Sequence, residues 1–206
     1  MDVSTIVVIL FLVVGVIFLM VFVIKSVMSP KKVESINRLT KQGKITQAIK
    51  LAKTLIQKDP QDFLAHYYLG KAYLKDGKSE LALMELKYVD QHAVFDENLS
   101  ELDFRQEIAP LYLKFNQPDE ALKQFLLLTK LNPRDSENYF NAAKLYDSKG
   151  KYEQALGFYG KTIKLNRRHI KEHAALGLLL IRAKQFQEAK QEIDLAISLS
   201  PETLSS

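Results

Sequence analysis

Cysteine is absent from the 206 residues. That excludes a disulfide framework, a thiolate-ligated zinc or iron–sulfur site and a thiol nucleophile, and it fits a reducing compartment. Histidine is scarce. Of the four present, only His169 and His173 stand at the i, i+4 spacing that suits a metal, with no third ligand or H-E-x-x-H glutamate beside them. His173 also falls at a packing position, so no metal site is expected. There is no G-x-S-x-G elbow, Walker loop or dinucleotide fingerprint. Acidic residues are scattered as solvated helix faces and turns require. These absences point away from an enzyme and from any cofactor. Low-complexity tracts are missing as well, and 26% charged residues with ample aliphatics describe an ordered chain.

The net charge of +5 is not a property of the whole chain. Between Lys25 and Lys58 stand nine basic residues and one acid, Glu34, so this segment is +8 and the remainder −3. A basic nucleic-acid-binding surface is therefore not expected. The positive segment follows residues 6–24, an uninterrupted run of 19 apolar or glycine residues. As a helix the run spans about 28 Å, close to the hydrocarbon thickness of a bilayer. The stretch before it holds Asp2 and no basic side chain, and no A-x-A site follows. An uncleaved anchor is the expectation, rather than a signal peptide. Lys25, Lys31, Lys32, Arg38 and Lys41 lie after the run, which predicts an outside N-terminus and a cytoplasmic soluble domain. They can also attract an anionic membrane surface. On that topology the sequon Asn98-Leu99-Ser100 is a chance match. Gly15 is the only small residue of the run, so no G-x-x-x-G dimer motif is present. Ser29-Pro30 reads as an N-cap and first turn, so a new helix is expected to start there.

Beyond the run, residues 136–165 read as two amphipathic helices around Lys149-Gly150-Lys151. One such hairpin cannot bury its own apolar surface and must stack on copies of itself. The copies are present. Ala48, Ala82, Ala121, Ala155 and Ala189 follow one another at 34, 39, 34 and 34 residues. Five positions before each stands Gly43, Gly77, Asn116, Gly150 or Lys184, and twelve after stands Pro60, Val94, Pro133, Arg167 or Pro201. Small residues recur where helices cross closely, and proline recurs where a second helix must stop.

With Leu69-Gly70, Tyr73, Ala82 and Val89, then Tyr139, Ala143, Tyr146, Ala155, Tyr159 and Thr162, then Leu176-Gly177, Ala189, Ala196 and Pro201, the chain resembles the tetratricopeptide repeat (TPR) family. The resemblance implies an all-α solenoid of five helix-turn-helix repeats at 29–62, 63–96, 102–135, 136–169 and 170–203. An anchor at 1–28 precedes them, and a short insertion lies around 97–101. Pro110 falls inside the first helix of the third repeat and should kink it. In the last repeat Lys190 replaces an aliphatic position, a polar outer face suited to a terminal repeat. Leu195, Ile197 and Leu199 still leave an apolar strip there, a candidate surface for a partner or a homo-oligomer.

Carried over from the family, the concave groove is lined by Leu64, Tyr67, Tyr68, Lys71, Leu74, Lys75, Gln106, Lys114, Phe140, Asn141, Lys144, Leu178, Ile181 and Arg182. Aromatic anchors among lysines suit a peptide with apolar and acidic side chains. The lysine–asparagine clamp by which some TPR co-chaperones hold acidic chaperone tails is not matched, since Val33, Asn37, Tyr68, Asp103 and Glu107 stand at its positions. An uncleaved N-terminal anchor before a TPR array also looks like the bacterial lipopolysaccharide assembly protein B family, a protease adaptor. This chain lacks the cysteines of that family's metal module. The reading is thus a single-pass scaffold on the cytoplasmic face of a bacterial inner membrane, holding protein partners. An import receptor of the organelle type is the alternative.

Overall fold

In a computed structural model the backbone is described for residues 3–166 and 170–199, and side chains likewise except at 3–8, 23–31, 171 and 172. All ten elements among the described residues are α-helices. The chain forms two compact units, residues 1–94 and 95–206.

The first unit contains α1 (Val3–Lys41), α2 (Ile45–Lys58), α3 (Phe63–Lys75) and α4 (Ser79–His92). Its core joins Val33 and Ile36 of α1 to Ala48 and Ala52 of α2, Leu69, Ala72 and Tyr73 of α3, and Ala82 of α4. The second contains α5 (Glu101–Lys114), α6 (Pro118–Leu131), α7 (Ser136–Ser148), α8 (Tyr152–Leu165), α9 (Ile170–Arg182) and α10 (Phe186–Ser198). There each helix packs on the next along the chain. One cluster joins Ala143 of α7, Ala155 and Tyr159 of α8, three leucines of α9 (176, 179 and 180) and Ala189 of α10. The periodic alanines are the crossing points: Ala48, Ala82, Ala121 and Ala155 are wholly buried, and Ala189 is 2% exposed.

Every hairpin turns by the same device. At Gly43, Gly77, Asn116, Gly150 and Lys184 the backbone is left-handed, with φ of 75°, 75°, 53°, 69° and 61°. Each of these N–H groups bonds a carbonyl three residues back, and the next N–H reaches five back, as in Lys44 to Leu39 at 3.0 Å and Gln185 to Leu180 at 2.8 Å. This is the Schellman closure that satisfies orphan carbonyls at a helix end. Asp62, Ser100 and Asp135 cap α3, α5 and α7 by accepting from Ala65, Asp103 and Glu137 N–H.

Three expectations need correction or completion. No helix starts at Ser29-Pro30: α1 is continuous through it. A proline removes one helical hydrogen bond, and the apolar run before it and packed Val33, Ile36 and Thr40 after it both demand helix. Pro110 does lie inside a first helix, α5, which spans Glu101 to Lys114. The insertion before α5 is tied down rather than loose. Leu99 is 1% exposed, and Asp96 accepts from the N–H groups of Asn98 and Leu99 at 2.8 and 3.3 Å. Those bonds from Asn98 hold the Asp96 carboxyl below the usual carboxylate range. Phe95 tilts onto Phe104, and the Arg105 guanidinium lies 5.2 Å over the Phe95 ring.

Among the described residues no helix is long and apolar enough to cross a membrane. The described side chains of the apolar run are those of residues 9–22. Every large apolar one among them is 45–78% exposed, on all sides of α1.

Candidate groove and the polar rungs behind it

The first helices present the expected groove residues unequally. In the first unit Tyr67 is 5% exposed, so it is not the open anchor that the sequence suggests. Its ring lies against Tyr68 at 5.2 Å, and the Lys71 ammonium covers it from 5.0 Å while donating to its hydroxyl at 3.2 Å. Leu64, Tyr68 and Leu74 pack half-buried on the core. Lys75 is exposed.

The second unit brings more of the set together. Phe140 is half-buried, edge-on to Tyr159 at 5.8 Å, and the exposed Lys144 holds its ammonium 5.5 Å above the Phe140 ring. A cation over an aromatic face is attracted by the ring quadrupole and keeps its charge available. Asn141 donates to the Glu137 carbonyl at 3.0 Å and so faces its own helix. Gln106 and Lys114 are exposed. Arg182 is not a free groove cation: it donates to Asp147 at 2.5 Å. Beneath that pair Tyr159 is 1% exposed. Burial and the nearby Asp147 carboxylate push its hydroxyl up to about 12, with Arg182 opposing. Asp147 and Tyr159 were not among the groove residues expected from sequence, because Tyr159 reads as core and Asp147 as one more solvated acid. Of the basic segment, Lys32, Arg38 and Lys41 are exposed, whereas the side chains of Lys25 and Lys31 lie outside the described residues.

A second pattern runs through the hairpins, joining residues 19 apart. His66 Nδ1 lies 2.6 Å from Glu85, Arg105 donates to Gln124 at 2.6 Å, Tyr139 meets Phe158 at 6.0 Å, and His173 Nδ1 lies 2.6 Å from Glu192. These positions are equivalent under the repeat, so each pair is one rung closing a hairpin. His173, 2% exposed, is thereby a packing residue, and His169 lies outside the described residues. Among the described residues no three potential metal ligands converge.

Stacked α-hairpins with one turn geometry, one small-residue crossing and a rung that recurs in four of them define a helical-repeat protein. Family profiles sharpen the class. A TPR repeat matches residues 37–77, and tetratricopeptide repeats match 107–166 and 173–203. The chain belongs to the tetratricopeptide-repeat proteins. It shares its fold with YrrB, described as a TPR protein with an unusual peptide-binding site, at a TM-score of 0.71 and 17% identity over 84% of this chain and 87% of that one. A MamA structure superposes with a TM-score of 0.69 at 19% identity, covering 88% and 99% of the two chains. The UDP-N-acetylglucosamine–peptide N-acetylglucosaminyltransferase of Giardia intestinalis is 27% identical over 95 residues, 46% of this chain. This chain spans only 6% of that enzyme's length.

Proposed function

We propose that this chain is a membrane-mounted adaptor whose repeats hold a protein segment bearing apolar and acidic side chains. The TPR fold supports protein interaction as the task. One observation carries the mount: α1 is a single helix that exposes apolar side chains on every side over residues 9–22 and then becomes the core of the first hairpin through Val33 and Ile36. A helix apolar all round belongs in lipid or inside protein. The sequence run at 6–24, which extends past those described side chains on both sides, has the length and composition of a single span. The first unit carries 13 Lys and Arg against eight Asp and Glu, whereas the second carries 16 of each. The excess positive charge therefore sits in the unit that continues from the span, as a cytoplasmic, anionic-lipid-facing mount requires.

For the partner, the Phe140–Lys144 platform offers an aromatic face and an ammonium within one helical turn, and Lys114 adds charge in the same unit. That suits a carboxylate beside an apolar side chain. The scaffold reading is tested on full-length protein in membranes. Val14→Glu with Phe18→Glu should move the chain from the alkali-resistant membrane fraction to the supernatant. Lys144→Glu with Lys114→Glu should lower partner recovery at least tenfold with helical content unchanged. Retention of the first variant in membranes would sink the mount, and unchanged recovery with the second would sink the groove.

A further inference from the structure

We propose that the outer face of the α9–α10 hairpin is a docking surface for a second copy of this chain. Inside the second unit, the α7–α8 hairpin holds α9 through Phe140, Tyr159 and Ile163, packed with Leu176, Leu179 and Leu180, and Thr162 is wholly buried. One repeat of 34 residues later the same positions are Ala174, Ile193, Ala196 and Ile197. Together with Ile170 and Leu178 these four line a depression of about 390 Å³ that contains no charged residue. The face thus continues the established repeat-to-repeat interface, with its chemistry intact, at the surface. Lys190 does not make this face polar, because the apolar area extends onto α9.

What fills the equivalent interface one repeat earlier is a first helix with an aliphatic stripe. This face carries such a stripe itself: Ala174, Leu178 and Ile181 stand at i, i+4 and i+7, and the two larger residues are 56% and 41% exposed. Socket and stripe on one patch make it self-complementary, the condition for an isologous two-fold contact. The flanking charge has the same property. Lys190 and Asp194 are exposed one turn apart on α10, in register with Ile197. With two α10 helices antiparallel across a two-fold axis, Lys190 faces Asp194 of the second copy, and the reverse pair forms by symmetry. Exposed aliphatics rimmed by paired charge are what an association surface requires. The inference goes beyond the groove reading and does not depend on it.

The absence of native cysteine makes the test clean. In that arrangement the two Ile197 lie roughly 15–20 Å apart, so full-length Ile197→Cys protein, treated in membranes with a bis-maleimide of that span, should give a cross-linked homodimer, and Lys123→Cys on α6 should not. Leu178→Asp added to Ile197→Cys should reduce the dimer at least tenfold. Lys190→Glu alone should weaken it, and Lys190→Glu combined with Asp194→Lys should restore it, a rescue that a folding defect cannot produce. Lys144→Glu, which disables the groove, should leave the dimer untouched. No homodimer from Ile197→Cys, cross-linking only to a different protein, or failure of the charge exchange to restore the dimer would overturn the proposal.

Discussion

The α3–α4 and α9–α10 hairpins are 107 residues apart and built on one plan. Gly70 and Gly177 occupy the same crossing, Ala82 and Ala189 the same contact, and His66–Glu85 and His173–Glu192 the same rung. Other positions of the two hairpins differ. Where α3 has Tyr67, Lys71 and Lys75, α9 has Ala174, Leu178 and Arg182; where α4 has Asp90, α10 has Ile197. Packing positions are held constant because the hairpin cannot close without them. Chemistry changes at the remaining positions, so function is to be sought at the differences. The seats of the two first helices differ too: Thr40 and Ala52 lie where the α9 seat has Asp147 and Tyr159.

That last difference gives the largest expected effect. The Tyr159 hydroxyl is raised from 10.0 to about 12 in the folded protein. An unfolded chain would therefore ionise first. The stabilising difference is complete below pH 10 and is lost as pH rises towards about 12. Two pKa steps correspond to up to about 3 kcal/mol. Urea midpoints should accordingly fall between pH 9 and pH 12, and Tyr159→Phe should flatten that fall. An unchanged slope in the variant would show that the α9 seat is not what limits stability in alkali.

The two glycines separate next. A Cβ on Gly177 would lie 2.6 Å from Ile193 Cγ1 and 3.3 Å from the Ala189 carbonyl oxygen, near-backbone atoms that cannot swing away. On Gly70 the nearest atoms, Leu86 Cδ2 and Cγ, lie at 3.0 Å and the Ala82 carbonyl oxygen at 3.5 Å, so Leu86 needs to give by only a few tenths of an ångström. Alanine gains up to about 1 kcal/mol in a helix over glycine, and overpacking costs about 1–3 kcal/mol. Gly177→Ala should therefore destabilise by about 1–2 kcal/mol, and Gly70→Ala should be close to neutral by thermal or urea unfolding. Equal costs would mean that the two crossings are equally tight.

Much of this architecture was legible from spacing. A period carried by five alanines is set by helix crossings, and crossings are local, so they survive in sequence. Tyr67 was misread because a groove position does not say whether a large ring lies open or under its neighbours Tyr68 and Lys71. The pairing of Arg182 was not legible because its partner, Asp147, stands 35 residues away on a different helix. The rungs were available once the period was known, since His66–Glu85, Arg105–Gln124 and His173–Glu192 share one spacing. Continuity of α1 through Pro30 was not, because local turn signals outvoted the tertiary demand of Val33 and Ile36.

The smallest effect tests the turn itself. Lys184 sits at φ 61° where the α3–α4 hairpin has Gly77 at φ 75°. A residue with a Cβ is strained in this region by roughly 1–2 kcal/mol. Glycine removes the strain but gives the unfolded chain more freedom, an opposing cost of about 0.4–1 kcal/mol. Lys184→Gly should therefore stabilise by about 0.5 kcal/mol, whereas Gly77→Lys should cost about 1 kcal/mol, both read from urea midpoints. Asn116→Gly should do less than Lys184→Gly, because asparagine tolerates the left-handed region better than lysine. If Lys184→Gly were instead destabilising, the Lys184 side chain would have to make a contact worth more than its backbone strain, and the last turn would differ from its counterpart in kind.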